Sequence, residues 1–326
     1  MLRSMYSGIS GLKNFQTKLD VIGNNIANVN TYGFKKERTI FKDLISQTQA
    51  GASAPTPTRG GVNATQVGLG SQLAAIDTIH NPGSMQTTGR ILDLAISGDG
   101  FFMVADSLGE PDPITGDIAD PGYENILYTR AGNFYMDRNG YLVNGEGKYL
   151  VGHANDTLSI DDTTTIDGSE ADNDKANNGL LLPGNLIDGS GGAPQIDLAA
   201  FSNPIRIPTT AQSMTIGQDG TVNYVDYKGD LQYAGQLILA KFPNASGLQK
   251  NGGNYFQETA NSGVAYGQTA TVEGIGSVQS GFMEMSNVDL SEEFTEMIVA
   301  QRGFQANSRI ITTSDEILQE LVNLKR

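Results

Sequence analysis

Apolar residues recur at seven-residue intervals near both ends of this chain, and this pattern constrains the fold more than any other feature. At the start the rows are Met5, Leu12, Leu19 and Ile26, and Phe15, Ile22 and Val29. At the other end they are Leu290, Met297, Phe304, Ile311 and Leu318, beside Ile310, Ile317 and Leu324. Such spacing places apolar side chains on one face of an α-helix and favours a partner helix. We therefore expect two long amphipathic helices that pair with each other.

Sequence signals also predict where these two helices begin and end. The first is expected over residues 1–30, with Gly33 as a stop signal. The second is expected to begin near Asp289 or Ser291, since either residue is a good N-cap, and to run to the end of the chain. The glutamates that follow would lie where the helix dipole favours negative charge.

The residues between the helices read as β-structure. Short runs with strand character occupy 91–97, 101–104 and 133–136, and a second strand-rich block runs from 205 to 281. Asp137-Arg-Asn-Gly140, Asn144-Gly145 and Asp219-Gly220 are turn signals, because Asn and Gly tolerate positive φ. The chain is therefore predicted to be an α+β protein with one or two β-rich domains.

Composition suggests four regions along the chain. We expect an inner helical (coiled-coil) domain from 1–34 plus 285–326 and a β-rich domain from 71–150 plus 205–284. Gly and Pro in the stretch 51–61 have linker composition, so 35–70 is predicted to be a linker region. Residues 151–204, rich in Asp, Asn, Thr and Gly, are predicted to be an inserted outer small domain or loop.

The charge and hydropathy of the chain limit the binding partners and the cellular locations that we expect for it. The formal net charge of −15 argues against nucleic acid as a partner, because binding there depends on neutralising phosphates. No apolar run approaches the ~20 residues of a membrane span, so membrane insertion is not expected. The first eight residues lack a cleavable secretory signal, which predicts either an internal protein or export by another route.

Candidates for chemistry are sparse, and we expect no enzyme, metal site or cofactor. The two histidines, His80 and His153, stand beside turn-forming residues and are predicted to be surface-loop histidines. The acidic run 172–179 fails the calcium-loop template, because Ala176 takes a ligand position and Asn177 stands where Gly is needed. The sequence contains no Gly-x-Ser-x-Gly motif that would place a nucleophile.

Each terminal helix carries two apolar rows, whereas one partner helix covers one row. Ordering the backbone of the second helix costs roughly 1–2 kcal/mol per residue, which only buried apolar side chains can offset. Polar residues at the alternate positions Gln301, Ser308 and Asp315 also weaken a simple two-stranded coil. We therefore expect other copies of the chain to supply the missing contacts. The residues expected at this assembly interface are Met5, Leu12, Leu19, Ile22, Ile26, Leu290, Met297, Phe304, Ile311 and Leu318.

Several motifs, in order along the chain, resemble those of the flagellar rod and hook axial proteins. Near the start these are Leu19-Asp-Val-Ile-Gly-Asn-Asn-Ile-Ala-Asn28 and Thr31-Tyr-Gly-Phe-Lys35. Internal motifs are Thr88-Gly-Arg90, Leu92-Asp-Leu-Ala-Ile96, Gly100-Phe-Phe102 and Tyr128-Thr-Arg-Ala-Gly-Asn-Phe134. Near the end are Ser286-Asn-Val-Asp-Leu290, Met297-Ile-Val-Ala-Gln-Arg302 and Leu321-Val-Asn-Leu324. The motif residues carried over from the family are Asn25, Asn28, Thr31, Gly33, Phe34, Asn287, Gln301 and Arg302.

This resemblance implies a structural subunit of the bacterial flagellum that assembles as a homopolymer. It implies that both termini form an inner coiled-coil layer around a channel, with the β-domains outside. Implied partners are other axial proteins (rod, hook cap and hook–filament junction) and the flagellar type III export apparatus, which needs no cleaved signal.

Within the family, the motif details favour the hook subunit, a flexible universal joint that transmits motor torque to the filament. That reading places the protein in the extracellular hook. The length of the segment between Phe41 and Gly70 resembles the distal rod subunit instead, which would place it in the basal body as part of a rigid drive shaft.

One further reading comes from another class of protein. A secreted glycan-binding β-domain on a helical trimerising stalk would need a cluster of aromatic residues, of which Tyr123, Tyr128 and Tyr135 are the candidates.

Overall fold

The computed structural model describes residues 2–107, 123–154, 187–188, 194–195, 204–272 and 274–324. Within these ranges the chain forms two compact units. Unit 1 consists of Met1–Val29, Lys35–Ile79 and Val288–Arg326, and unit 2 of Asn30–Phe34 and His80–Asn287. The predicted α+β class is confirmed, with two long helices in unit 1 and a β-rich unit 2.

The two predicted helices are present in unit 1. Helix α1 spans Leu2–Ala27, and Gly33 follows it with a φ of 71°, which glycine adopts without strain. Helix α2 spans Leu290–Asn323, and the side chain of its N-cap Asp289 accepts hydrogen bonds from the backbone N–H groups of Ser291 and Glu292. Of the two caps the sequence offered, the structure uses Asp289.

Residues 37–78 form one long antiparallel ribbon, in place of the linker expected from composition. Strand β1 (Glu37–Asp43) pairs with β4 (Ser71–Thr78), and β2 (Ser46–Ala50) pairs with β3 (Thr65–Gly68). Isolated bridges between Ser53 and Val62 and between Thr56 and Arg59 continue the pairing to the tip. Within the predicted linker region 35–70, residues 37–43, 46–50 and 65–68 are thus in paired strands. Strand β4 also belongs to unit 1 together with the helices, whereas the sequence analysis placed its residues in the β-rich domain.

Unit 2 is built on a sheet of twelve strands among the described residues. Those strands are β7 (Phe101–Ser107), β8 (Tyr123–Thr129), β9 (Phe134–Met136), β10 (Leu142–Asn144), β11 (Tyr149–Leu150), β12 (Gly152–Ala154), β15 (Ser213–Ile216), β16 (Thr221–Val225), β17 (Leu231–Lys241), β18 (Gln249–Lys250), β19 (Tyr255–Gln257) and β20 (Tyr266–Thr269). Its main path is β15-β16-β17-β7-β11-β10-β9, and every pairing in it is antiparallel.

Short strand pairs complete the β-structure. Strand β5 (Met85–Thr87) pairs with β22 (Phe282–Glu284), and β6 (Leu94–Ser97) pairs with β21 (Ser277–Ser280). Strands β13 (Ile187–Asp188) and β14 (Pro194–Gln195) pair with each other. A short 3₁₀ helix, Ala245–Gly247, precedes β18.

The central strands of this sheet are buried on both faces. Along β7, Phe102 and Val104 belong to one hydrophobic cluster, whereas Phe101 and Met103 belong to another. Strand β17 divides its side chains in the same way. Because alternate residues of a strand face opposite sides, unit 2 has a separate core on each face.

The predicted turns are present where Asn, Asp and Gly suggested them. Gly140 and Gly220 adopt φ values of 88° and 83° between β9 and β10 and between β15 and β16. Most of the insertion predicted at 151–204, the acidic run 172–179 within it, and residues 108–122 lie outside the described residues.

Candidate assembly interface and motif junctions

Helices α1 and α2 run antiparallel and approach closely where glycines of one helix face larger residues of the other. A Cβ added to Gly8 would lie 3.3 Å from Ile311, and one added to Gly303 would lie 2.5 Å from the ring of Phe15. Gly11 faces Asn307 in the same way. Glycine therefore permits the close approach of the helices. Apolar periodicity predicted the pairing but missed the glycines and Asn307.

The predicted assembly residues differ in burial within the single chain. Ile22 is buried, and Leu290 and Phe304 are each 37% exposed. The remaining members are partly buried: Met5, Leu12, Leu19, Ile26, Met297, Ile311 and Leu318. Their role in assembly stays a prediction.

A second apolar row on α2 is exposed, and we call it the α2 stripe: Ile310, Ile317, Leu321 and Leu324. Their exposed fractions are 44%, 43%, 48% and 82%. The spacing of seven, four and three residues places them on one helix face. On α1, Tyr6 and Ile9 are also exposed. The helix pair thus covers part of its apolar surface and leaves the α2 stripe uncovered.

Asn25 connects three elements of unit 1 and is only 1% exposed. Its Nδ2 donates to the backbone oxygen of Glu37 (2.9 Å) and to Oε2 of Glu293 (3.1 Å). Its Oδ1 accepts from the backbone N–H of Glu37 (3.0 Å). The side-chain amide thus bonds the first residue of the ribbon at two points, as a neighbouring strand would, while holding the first turn of α2.

Two ion pairs flank this connection. Lys18 pairs with Glu296, and Lys36 Nζ lies 2.8 Å from Oε2 of Glu292. Both glutamates are about half exposed, so each pair contributes little stability, about 0–1 kcal/mol. Both pairs nonetheless join residues of α1 and of the ribbon's start to the first turns of α2, as the hydrogen bonds of Asn25 do.

Unit 2 contains a buried ion pair between Arg130, in the motif Tyr128–Phe134, and Glu284. Arg130 and Glu284 have side chains only 2% and 1% exposed, and Arg130 Nη1 lies 3.1 Å from Glu284 Oε2. Oε1 of Glu284 accepts from the backbone N–H of Gly83, and Arg130 Nη2 donates to the carbonyl of Gly98. Most of the hydrogen-bonding capacity of the pair is therefore used, which a buried pair requires.

Gly33 fits into this junction because it has no side chain. Its N–H donates to the backbone oxygen of Glu284 (2.8 Å). A Cβ at this position would lie 2.5 Å from the backbone nitrogen of Ala131, closer than real contacts allow. The motif Thr31–Lys35 thus requires glycine at its centre both for φ and for space.

The structure places the other motif residues separately rather than in one site. The Nζ of Lys250 lies 4.8 Å from the ring centre of buried Phe34, and Thr31 O accepts from Phe34 N–H. Asn28 Nδ2 bonds Asn24, and Asn287 Nδ2 donates to the carbonyl of Asn81. Gln301 and Arg302 are exposed on α2.

The prediction of two surface-loop histidines is wrong for His153, which lies in a strand, and holds only in part for His80, which lies in a loop but has buried ring nitrogens. His80 packs edge-on against the rings of Phe101 and Phe256 at 5.5 and 5.3 Å. His153 lies in strand β12 opposite Gln236. Among the described residues no cluster of His, Cys, Asp and Glu could hold a metal ion, and no helix is long and apolar enough to cross a membrane.

Tyr128 and Tyr135, two of the tyrosines considered for a glycan platform, do not lie on a common surface. Tyr128 is in the core, with its ring 4.7 Å from that of Phe242, whereas Tyr135 is exposed beneath the guanidinium of Arg90. Burial raises the pKa of Tyr128. Burial, with a hydrogen bond to Glu146, also raises the pKa of Tyr255 to about 12.

Comparison with known proteins accounts for most of these motifs. Residues 5–35 match the family described as flagella basal body rod protein, and residues 279–324 match the flagellar basal body rod FlgEFG protein C-terminal family. Residues 117–224 match the flagellar hook protein FlgE/F/G D1 domain.

Full-length relatives come from several bacteria. The chain is 50% identical to the flagellar basal-body rod protein FlgG of Bacillus subtilis over 100% of both chains. It is 33% identical to the flagellar hook protein FlgE of Borreliella burgdorferi, and 30% identical to that of Escherichia coli, each over at least 97% of both chains.

The chain therefore belongs to the flagellar basal-body rod and hook protein family. It is a structural axial protein of the bacterial flagellum and not an enzyme, as the motifs predicted.

Proposed function

We propose that this chain is a subunit of the distal flagellar rod, in which many copies form a rigid tube. The observation that carries this proposal is the similarity to FlgG of Bacillus subtilis, at 50% identity over 327 aligned positions. The alignments with the two hook proteins extend over 458 and 430 positions, although this chain has only 326 residues. Hook proteins therefore contain long segments that this chain lacks.

The ribbon at 37–78 supports the same assignment. A long segment at this place resembles the distal rod subunit, in which it is thought to stiffen the tube. Here the segment is paired along its length, from Glu37–Thr78 to the bridge between Thr56 and Arg59. A two-stranded ribbon is marginally stable alone, so contacts with neighbouring copies would complete its stabilisation.

The hook remains the second candidate. The motif Thr31–Lys35 favoured it in the sequence, and hook relatives align over nearly the whole chain at 30–33% identity. A hook subunit would flex as a universal joint, with its β-domains sliding against neighbouring copies.

For either candidate, assembly would use the helices. The α2 stripe is apolar and exposed, and burying each of its side chains against a neighbouring copy would contribute about 1.5–3 kcal/mol. We propose that α1 and α2 form the inner coiled-coil layer of the tube, and that the partners are other copies and the adjoining axial proteins. Permanent apolar contacts of this kind suit a shaft that transmits torque.

Deletion of the gene in its own bacterium tests the assignment. Electron microscopy of isolated basal bodies should show rods that stop short of the distal segment and carry no hook. Complete rods lacking only the hook would overturn the rod assignment in favour of the hook. Expression of the intact chain in the deletion strain is the control, and it should restore both structures.

A further inference from the structure

Three Asn-Gly pairs among the described residues occupy different environments, although they share the same dipeptide. They are Asn139-Gly140, Asn144-Gly145 and Asn251-Gly252. Asn-Gly is prone to spontaneous deamidation, because glycine places no side chain in the way of the attacking backbone nitrogen. The fold therefore decides which pair reacts. A fourth pair, at 178–179, lies outside the described residues.

The side chain of Asn144 is held on both of its atoms. Its Oδ1 accepts from the backbone N–H groups of Glu146 and Lys148, each at 3.0 Å. Its Nδ2 donates to the hydroxyl of Tyr255 at 2.6 Å. Rotation of the side chain toward the Gly145 nitrogen would break all three hydrogen bonds, so this pair is protected.

The second pair is protected through its backbone. The N–H of Gly140 donates to the carbonyl of Asp137, and the N–H of Asn139 donates to Oδ1 of the same residue. A Cβ at Gly140 would collide with the backbone of Ile207, so this turn is closely packed. The nucleophilic nitrogen is thus both bonded and confined.

Asn251-Gly252 has neither kind of protection among the described residues. Asn251 and Gly252 are exposed, and neither the Asn251 side chain nor the Gly252 N–H makes a hydrogen bond. No atom lies within 4 Å of a Cβ placed on Gly252. The pair forms the turn between β18 and β19, in which the Asn251 N–H and the Gly252 carbonyl bond Tyr255 while the attacking Gly252 nitrogen carries no hydrogen bond to any described residue.

We propose that Asn251 is a site of spontaneous deamidation in the folded protein. The Gly252 nitrogen attacks Cγ of Asn251, the bond from Cγ to the amide nitrogen breaks, and ammonia leaves with the proton from the Gly252 nitrogen. Water then opens the cyclic imide at either carbonyl, giving aspartate or isoaspartate. The sum is one water consumed and one ammonia released.

The product would change the charge of a groove in unit 2. Asn251 lines this groove together with Asp106, Glu146, Lys148 and Tyr255. A new carboxylate would add negative charge beside two acidic side chains and one lysine. Isoaspartate would also lengthen the backbone between the two hydrogen bonds that join residues 251 and 252 to Tyr255. Conversion would therefore loosen the β18–β19 hairpin with age.

Peptide mapping by mass spectrometry tests this directly. Purified full-length protein is incubated at mildly alkaline pH, and the deamidated fraction of each Asn-Gly peptide is followed over time. Asn251 should convert at least about tenfold faster than Asn139 and Asn144, because their hydrogen bonds must break first. Equal rates, or faster conversion at either of the other two, would overturn the proposal.

Two controls separate the effect of the fold from that of the local sequence. In denaturant the three peptides should convert at similar rates, and a persistent lead for Asn251 there would contradict a structural cause. Tyr255→Phe removes one partner of Asn144 and should accelerate conversion at Asn144 in the folded protein. Asn251→Gln should abolish the signal at 251 while leaving the other two peptides unchanged.

Discussion

The amide of Asn25 lies 3.1 Å from the carboxylate of Glu293, and both residues are buried where α1, α2 and β1 meet. Asn25→Asp would place a second carboxylate beside Glu293 and remove the donor to the Glu37 carbonyl. We expect a loss of about 2–4 kcal/mol in the unfolding free energy of unit 1. Denaturant unfolding and amide exchange over Glu37–Asp43 measure it.

Asn24 provides the matched control for this substitution. It is exposed, and its Oδ1 serves only as an acceptor, for Asn28, which an aspartate would also satisfy. Asn24→Asp should therefore change stability by less than about 0.5 kcal/mol. Equal effects at 24 and 25 would contradict the role given to Asn25.

The buried pair of unit 2 leads to a second prediction. Arg130→Met would leave Glu284 buried without its charged partner, and we expect a loss of about 3–5 kcal/mol. Glu284→Gln keeps an acceptor for the Gly83 N–H but leaves the Arg130 charge buried without its counterion, so a loss of similar size is expected. Chemical denaturation of both variants and of the double variant gives the coupling energy, and additive effects would argue against a direct pair.

The α2 stripe predicts that assembly can be blocked without unfolding the subunit. Ile317→Asp should leave the helix content of the free subunit unchanged, because Ile317 is 43% exposed there. The concentration needed for polymerisation should rise at least tenfold, since losing one buried isoleucine contact alone removes about 1.5–3 kcal/mol. Gln305→Asp, on an exposed polar position, is the control, and sedimentation measures both.

The ribbon tip predicts a change in protease sensitivity on assembly. Arg59 is exposed and is the one Lys or Arg between Lys42 and Arg90. Trypsin should cleave the free subunit at Arg59, and it should cleave this site much more slowly in assembled tubes if neighbouring copies cover the ribbon. Equal cleavage rates in the two forms would show that the ribbon stays uncovered.

Tyr255 predicts a loss of stability in alkali. Its pKa is raised from 10.0 to about 12, so below pH 10 the neutral side chain contributes fully. Above pH 10 the unfolded chain ionises first, and stability falls as pH rises toward 12. Tyr255→Phe should flatten this part of the pH profile of the unfolding free energy, and an unchanged slope would contradict the prediction.

Periodicity predicted the helices because their apolar residues repeat over many turns, and Asp289 marked where α2 begins. The ribbon was missed because Gly51, Pro55 and Pro57 read as a linker. These residues lie toward its tip, and its pairing near the helices depends on alternation in β1 over only a few residues. Short strands give weak local signals.

The buried polar residues could not be found from pattern alone. Asn25 is a polar residue in a helix, and apolar periodicity identifies only apolar positions. It was named as a candidate residue because it belongs to a family motif. Arg130 and Glu284 are 154 residues apart, and no local feature relates them. The glycines at the helix contact could not be identified for the same reason. Their role depends on residues of the other helix: Phe15 faces Gly303, and Ile311 faces Gly8.

The antiparallel course of α1 and α2 has a practical consequence for labelling. Gly8 contacts Ile311, so the beginning of α1 and the end of α2 lie at the same end of the helix pair, beside the α2 stripe. An affinity tag or fluorescent protein at either terminus would crowd the surface proposed for assembly. The exposed turn at Tyr227-Lys228-Gly229, where nothing lies within 4 Å of a Cβ on Gly229, is the better insertion point for imaging live motors.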